Sequence, residues 1–86
     1  MSITGAQCRA GRALLGWSQD DLVKASKVTK STVANFEAGK RSPYDRTLAD
    51  VRAALEKAGV EFIAENGGDP GVRLRKSGTL GARPLA

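Results

Sequence analysis

Histidine is absent from the 86-residue chain, cysteine occurs once, and the aromatic residues are one Trp, one Tyr and two Phe. Without histidine there is no imidazole base for a hydrolase triad and no Cys/His zinc set. No paired carboxylates occupy an evident pocket, and the glycine-rich "NGGDPG" lacks the lysine and the strand-loop-helix setting of a phosphate cradle. No catalytic residue, metal ligand or cofactor is therefore assigned, and the chain is not expected to be an enzyme. The lone Cys8 cannot close an internal disulfide, and its place on a predicted inner helix face suits packing better than nucleophilic work. No uninterrupted apolar run approaches the roughly 18 residues of a membrane span, and residues 1–16 lack a charged-then-apolar leader pattern. The expected location is the cytoplasm, with no membrane partner.

What is present is positive charge, and it is clustered. The net charge is +5. Between Lys24 and Arg46 six cations (Lys24, Lys27, Lys30, Lys40, Arg41, Arg46) face two anions (Glu37, Asp45). A net charge of this size is ordinary for a soluble small domain, but its concentration in one segment points to a polyanion. At this length a single core is only marginally sufficient, so a partner subunit or ligand would help the fold.

Helix punctuation divides the chain. Thr4 and Gln7 have capping-box spacing, predicting a first helix from about Gly5 to Leu15 with Cys8, Gly11, Arg12 and Leu15 inward and Gly16 as its stop. Ser18 and Asp21 repeat the box for a second helix, Gln19 to Ser26, which should bury Leu22, Val23 and Ala25 or Ser26. Thr29 is the next N-cap, opening a third helix from Lys30 to about Ala38 that Gly39 ends. After the Pro43 loop a fourth helix should run from about Arg46 to Ala58, with Leu48, Val51, Ala54, Leu55 and Ala58 on one stripe and Gly59 as C-cap. Beyond Gly59 the period drops to two. "VEFIAE" sets Val60, Phe62 and Ala64 against Glu61, Ile63 and Glu65, and "VRLRK" sets Val72 and Leu74 against Arg73 and Arg75. With "NGGDPG" between them a hairpin follows. The expected organisation is thus a helix-turn-helix domain over residues 1–59, a hairpin over 60–76 and, from its lack of periodicity, a disordered tail over 77–86.

The third helix carries an unusual polar face. Val33 and Phe36, with Val28 before them, form its apolar edge. The other edge is Thr29, Lys30, Ser31, Thr32 and Asn35, short hydrogen-bonding side chains where a merely solvated face would hold Glu, Lys and Arg. In order, Gln19 and Leu22, then Val28, then Val33 and Phe36 make a helix-turn-helix.

The string "RALLGWSQDDLVKASKVTKSTVANFEAGKRSP" resembles the phage-repressor family (XRE, Cro and lambda-repressor-like) of DNA-binding domains, on the landmarks "LGWSQ", "VTKSTVANFEAG" and "KRSP". The resemblance covers about two-thirds of the chain, from Ile3 to Ala58. It implies a mainly α fold: a lambda-repressor-like helix-turn-helix domain of four helices, here followed by a β-hairpin. It also implies roles. Gln19 would bond a DNA phosphate at a helix N-terminus. Lys30, Ser31, Thr32 and Asn35 would face the major groove, with Thr29 near the backbone; Lys30 suits guanine O6 or N7 and Asn35 suits adenine N6 and N7. Lys40 and Arg41 would contact phosphate or simply be solvated. Arg12 and Glu37 are similar to the family's partly buried ion pair between the first and recognition helices, a structural role. Trp17 is either a lid over the helix pair or an exposed contact.

Two positions depart from the family pattern. Val23 stands where alanine is usual at the helix crossing, and Lys27 where a positive-φ glycine is usual in the turn. A lysine there costs about 1 kcal/mol against glycine. The family's fifth helix is also missing, so the hairpin either covers the core, with Phe62 or Ile63 and Leu74 inward, or pairs with a second chain to make a homodimer. Arg73, Arg75 and Lys76 make its outer face basic, for flanking phosphates or for edge solubility. The function implied is a sequence-specific transcriptional regulator whose partner is double-stranded DNA. The alternative is a helix-turn-helix module, an antitoxin or anti-activator, that acts on a protein partner.

Overall fold

Local capping signals give the first two helices sharp starts. In the computed structural model, which describes residues 3–64 and 70–75, helix α1 spans Gly5–Leu15. The Gln7 backbone amide donates to the Thr4 hydroxyl at 3.1 Å, and the Thr4 amide donates back to Gln7 Oε1 at 2.9 Å. Gly16, at φ 71°, ends the helix in a left-handed conformation that a side chain would oppose. Helix α2, Gln19–Ser26, repeats the reciprocal cap between Ser18 and Asp21. Helix α3, Lys30–Glu37, starts at Thr29, and helix α4, Asp45–Lys57, starts at Tyr44. Strands β1, Val60–Ile63, and β2, Gly71–Leu74, form one antiparallel pair with Phe62 opposite Val72. The mainly helical order of four helices and a hairpin is the expected one.

The differences lie at element ends and edges. Helix α4 begins at Asp45 and is capped by Ala58 in right-handed geometry, so Gly59, at φ 113°, follows the cap instead of forming it. In α2 only Leu22 is buried; Val23 is half-buried at the rim and Ala25 is exposed. Each residue turns the helix by 100°, so Val23 and Ala25 lie about 100° and 300° around the helix from Leu22, off the line that faces the core. Strand β1 stops at Ile63, so Ala64 is exposed and not on the inner face. The tail 77–86, Lys76 and residues 65–69 of the expected turn lie outside the described residues.

Lys27 adopts φ 61°, the left-handed value that the family pattern assigns to glycine, with its amide donating to Val23 O at 2.8 Å. The α2–α3 turn therefore keeps its geometry and carries the steric cost of a lysine Cβ. At the other crossing, a Cβ on Gly5 would run into the Phe36 carbonyl oxygen. The start of α1 thus lies directly on the end of α3.

The core gathers Leu15, Leu22, Val33, Val51 and Leu55, with Cys8 and Val60 sealed among them. Burying each leucine is worth about 1.5–3 kcal/mol. The hairpin closes this core from below α1 and α4: Phe62, Val72 and Leu74 pack against it, while Ile63 faces outward at 43% exposure. Phe62, not Ile63, is therefore the inward residue. The buried amide of Gln7 donates to Ile63 O at 3.3 Å and to Gly71 O at 3.0 Å, holding both strands to α1. Arg75 N donates to Gly59 O at 2.8 Å and closes the open end.

Candidate nucleic-acid interface

The helix that presents the polar face is held from behind by one carboxylate. Glu37, at the end of α3, is 4% exposed. Arg12 grips it bidentately, Nε to Oε2 at 2.8 Å and Nη2 to Oε1 at 2.6 Å, and also donates from Nη1 to Trp17 O at 2.9 Å. The Cys8 thiol donates to Oε2 at 3.1 Å and the Gln19 side-chain amide to Oε1 at 3.1 Å. Burial alone would raise the Glu37 pKa, but hydrogen bonds from Arg12, Cys8 and Gln19 outweigh it and hold the carboxyl below its ordinary value. The Cys8 thiol is pushed far up, first by burial and then by its bond to Glu37, so it remains protonated. One anion thereby joins α1, α2 and α3, and it is the only carboxylate that α3 itself carries.

Inside, Val33 and Phe36 are buried against the core. Outside, Lys30 and Ser31 are exposed and Thr32 and Asn35 half-buried. Thr29 is exposed too; its hydroxyl accepts from Thr32 N at 3.4 Å and donates to Thr32 Oγ1 at 2.9 Å. Lys30 Nζ lies 3.1 Å from Asp20 Oδ1, but both side chains are more than half exposed, so the pair is weak and readily exchanged. Lys40 and Arg41 are exposed in the loop after α3.

Gln19 sits at the first position of α2, as expected, but donates inward to Glu37. Its backbone N–H remains at the helix start, where an anion is favoured. Trp17 is half-buried and packs against the core, as a lid would. On the hairpin, Arg73 pairs with Glu61 and Arg75 donates to the Glu56 carbonyl, so both cations have structural partners.

Ser31, Thr32, Asn35 and Arg41 line one open groove of about 330 Å³ together with Ser42, Pro43, Tyr44 and Thr47. Ser42 and Pro43 belong to the "KRSP" landmark, but none of the last four was expected to face DNA. The available signal was Tyr44 itself, an aromatic residue directly before a helix where a short cap residue is the norm.

No helix among the described residues is long and apolar enough to cross a membrane. No curated protein matches the chain. A helix-turn-helix family model matches residues 9–62, well over half of the sequence. With four helices, the Glu37 anchor and the polar outer face of α3 in place, the chain belongs to the XRE-type, Cro/lambda-repressor-like helix-turn-helix family, a family of DNA-binding domains.

Proposed function

We propose that this protein is a sequence-specific transcriptional regulator that lays α3 in the major groove of duplex DNA. The observation that carries the proposal is the division of α3: Val33 and Phe36 are buried, while Ser31, Thr32 and Asn35 open onto a groove. Short donors and acceptors allow close approach to base edges, which long side chains in salt bridges would obstruct. Lys30, released from its exposed pairing with Asp20, donates to guanine; Asn35 reads adenine through a bidentate amide pair; Ser31 and Thr32 add single hydrogen bonds. Thr29, Lys40, Arg41 and the start of α2 at Gln19 hold the flanking phosphates.

A short recognition helix gains specificity by duplication, because paired readers contact half-sites about 34 Å apart. In this proposal an outer edge of the two-stranded hairpin pairs with a second copy, so the working unit is a homodimer. Occupancy of the site then blocks or recruits polymerase, and such work places the protein with the DNA, in the cytoplasm of a prokaryotic cell. Titration of a palindromic duplex selected from random sequence tests the proposal: Asn35→Ala and Ser31→Ala should relax base preference. Variants that leave DNA binding untouched would favour the protein-binding alternative. The lack of any acidic residue from Thr29 to Asn35 counts against that alternative.

A further inference from the structure

The two outer edges of the hairpin differ in charge. Arg75 N donates to Gly59 O, and bonded positions alternate along an antiparallel pair, so the ladder bonds fall at the Glu61/Arg73 and Ile63/Gly71 pairs. Val72 and Leu74 therefore turn their amides and carbonyls away from β1, toward the outer side of β2. Val60 and Phe62 do the same on β1. Edges of this kind invite another strand unless charge or proline guards them.

Beside β1 that guard is present. The groove that Val60 and Glu61 share with the end of α4 is also lined by Glu56, Lys57 and Arg75, so among the described residues four of its five are charged. Beside β2 the guard is missing. An open groove of about 360 Å³ lies between that strand and α1, where Thr4, Ala6 and Ala10 face Gly71 and Val72, with Pro70 just before the strand. Among the described residues none that lines it is charged. A strand added to β2 would run about 4.8 Å beyond it, over this groove, and the short side chains of Ala6 and Ala10 leave it room.

Two copies with a net charge of +5 each repel one another, which favours a meeting surface free of charge. We infer that the homodimer forms by antiparallel pairing of β2 with β2 of a second copy, each added strand covering the groove against α1, while the outer edge of β1 stays in water. The charges of β2 also select the register. A two-fold centred on Arg73 sets that residue against its own copy, and one centred on Leu74 sets it against Arg75, both pairings of like charge. Centred on Val72, the pairing sets Arg73 against Gly71 and ends at Pro70, whose carbonyl can accept but which has no amide to extend the ladder. The inference rests on the regulator proposed above and names the surface that joins its two halves.

Sedimentation equilibrium of the full chain at micromolar concentration tests it. The wild type should run at twice its 9.0 kDa. Ala10 is exposed, and Glu and Lys are both good helix formers, so Ala10→Glu and Ala10→Lys should keep the helical circular dichroism and yet sediment at 9.0 kDa. Because the two added charges are opposite in sign, their burial, and not a long-range field, would be the cause. Lys57→Glu, beside β1, should stay dimeric. Val72→Cys should link two copies on mild oxidation, since paired Cα atoms about 5.5 Å apart lie within disulfide reach and Cys8 is buried with its thiol protonated. On the selected inverted repeat the Ala10 variants should lose about a hundredfold in affinity, while binding a single half-site as the wild type does. A dimer that survives either charge at Ala10, a Lys57→Glu chain that dissociates, or a dimeric Val72→Cys chain that does not link overturns the inference. So does a monomeric wild type, and if that monomer still binds the repeat the regulator stands. A β2-paired dimer that selects no duplex overturns the regulator alone.

Discussion

Arg12 on α1 and Glu37 on α3 meet in a bidentate pair of 2.8 and 2.6 Å that is closed from solvent on the Glu37 side. Removing one partner from such a pair leaves a charge with nothing to offset its burial. Glu37→Ala is expected to lose about 3 kcal/mol, near the lower end for broken buried pairs because the Arg12 side chain keeps 17% exposure. Urea unfolding checks this, and a loss under 1 kcal/mol would show that the pair does not anchor α3.

The same carboxylate makes stability depend on acid. The folded-state pKa of Glu37 lies below its unfolded value of about 4.5. Below that unfolded value the unfolded chain therefore binds the proton first. The contribution is complete above about pH 4.5 and is lost as pH falls through the lower, folded pKa. Urea midpoints measured from pH 6 to pH 3 should fall more steeply for the wild type than for Glu37→Gln.

Lys27 holds φ 61° where glycine would be free of strain. Lys27→Gly should add about 1 kcal/mol, less a few tenths for the greater freedom of the unfolded glycine. Thermal unfolding should show a rise of a few degrees, and a clear fall would contradict the turn geometry.

Gly5 should tolerate no side chain, because a Cβ there meets the Phe36 carbonyl oxygen, which belongs to rigid backbone. Gly5→Ala forces α1 and α3 apart and should cost about 1–3 kcal/mol, even though alanine is the better helix former. A stabilised variant would show that the two helices do not touch as described.

Much of this architecture was legible because its signals are local. Thr4 with Gln7 and Ser18 with Asp21 announce helix starts within four residues, and the shift from helical to alternating period announces the hairpin. What escaped depends on contacts between distant parts of the chain. Gln7 reads as a capping residue, yet its amide also holds the carbonyls of Ile63 and Gly71, more than 50 residues away. Gln19 reads as a phosphate ligand by resemblance, and only the fold reveals the Glu37 carboxylate within reach of its amide. Tyr44 reads as a loop residue, and only the fold sets it in one groove with Ser31, Thr32 and Asn35. Boundary errors had smaller causes: Ala64 fits the alternation, but the ladder ends at the Ile63–Gly71 pair.

The central claim is that α3 reads base edges with its outer face. Selection of bound sites from random duplex DNA, run in parallel on the wild type and on Asn35→Ala, tests it most directly. The wild type should recover an inverted repeat, and Asn35→Ala should lose preference at one position in each half-site, a discrimination worth about 1–3 kcal/mol, while retaining salt-sensitive binding to DNA in general. Recovery of the same repeat at the same strength by both proteins, or of no sequence by the wild type, would contradict the claim.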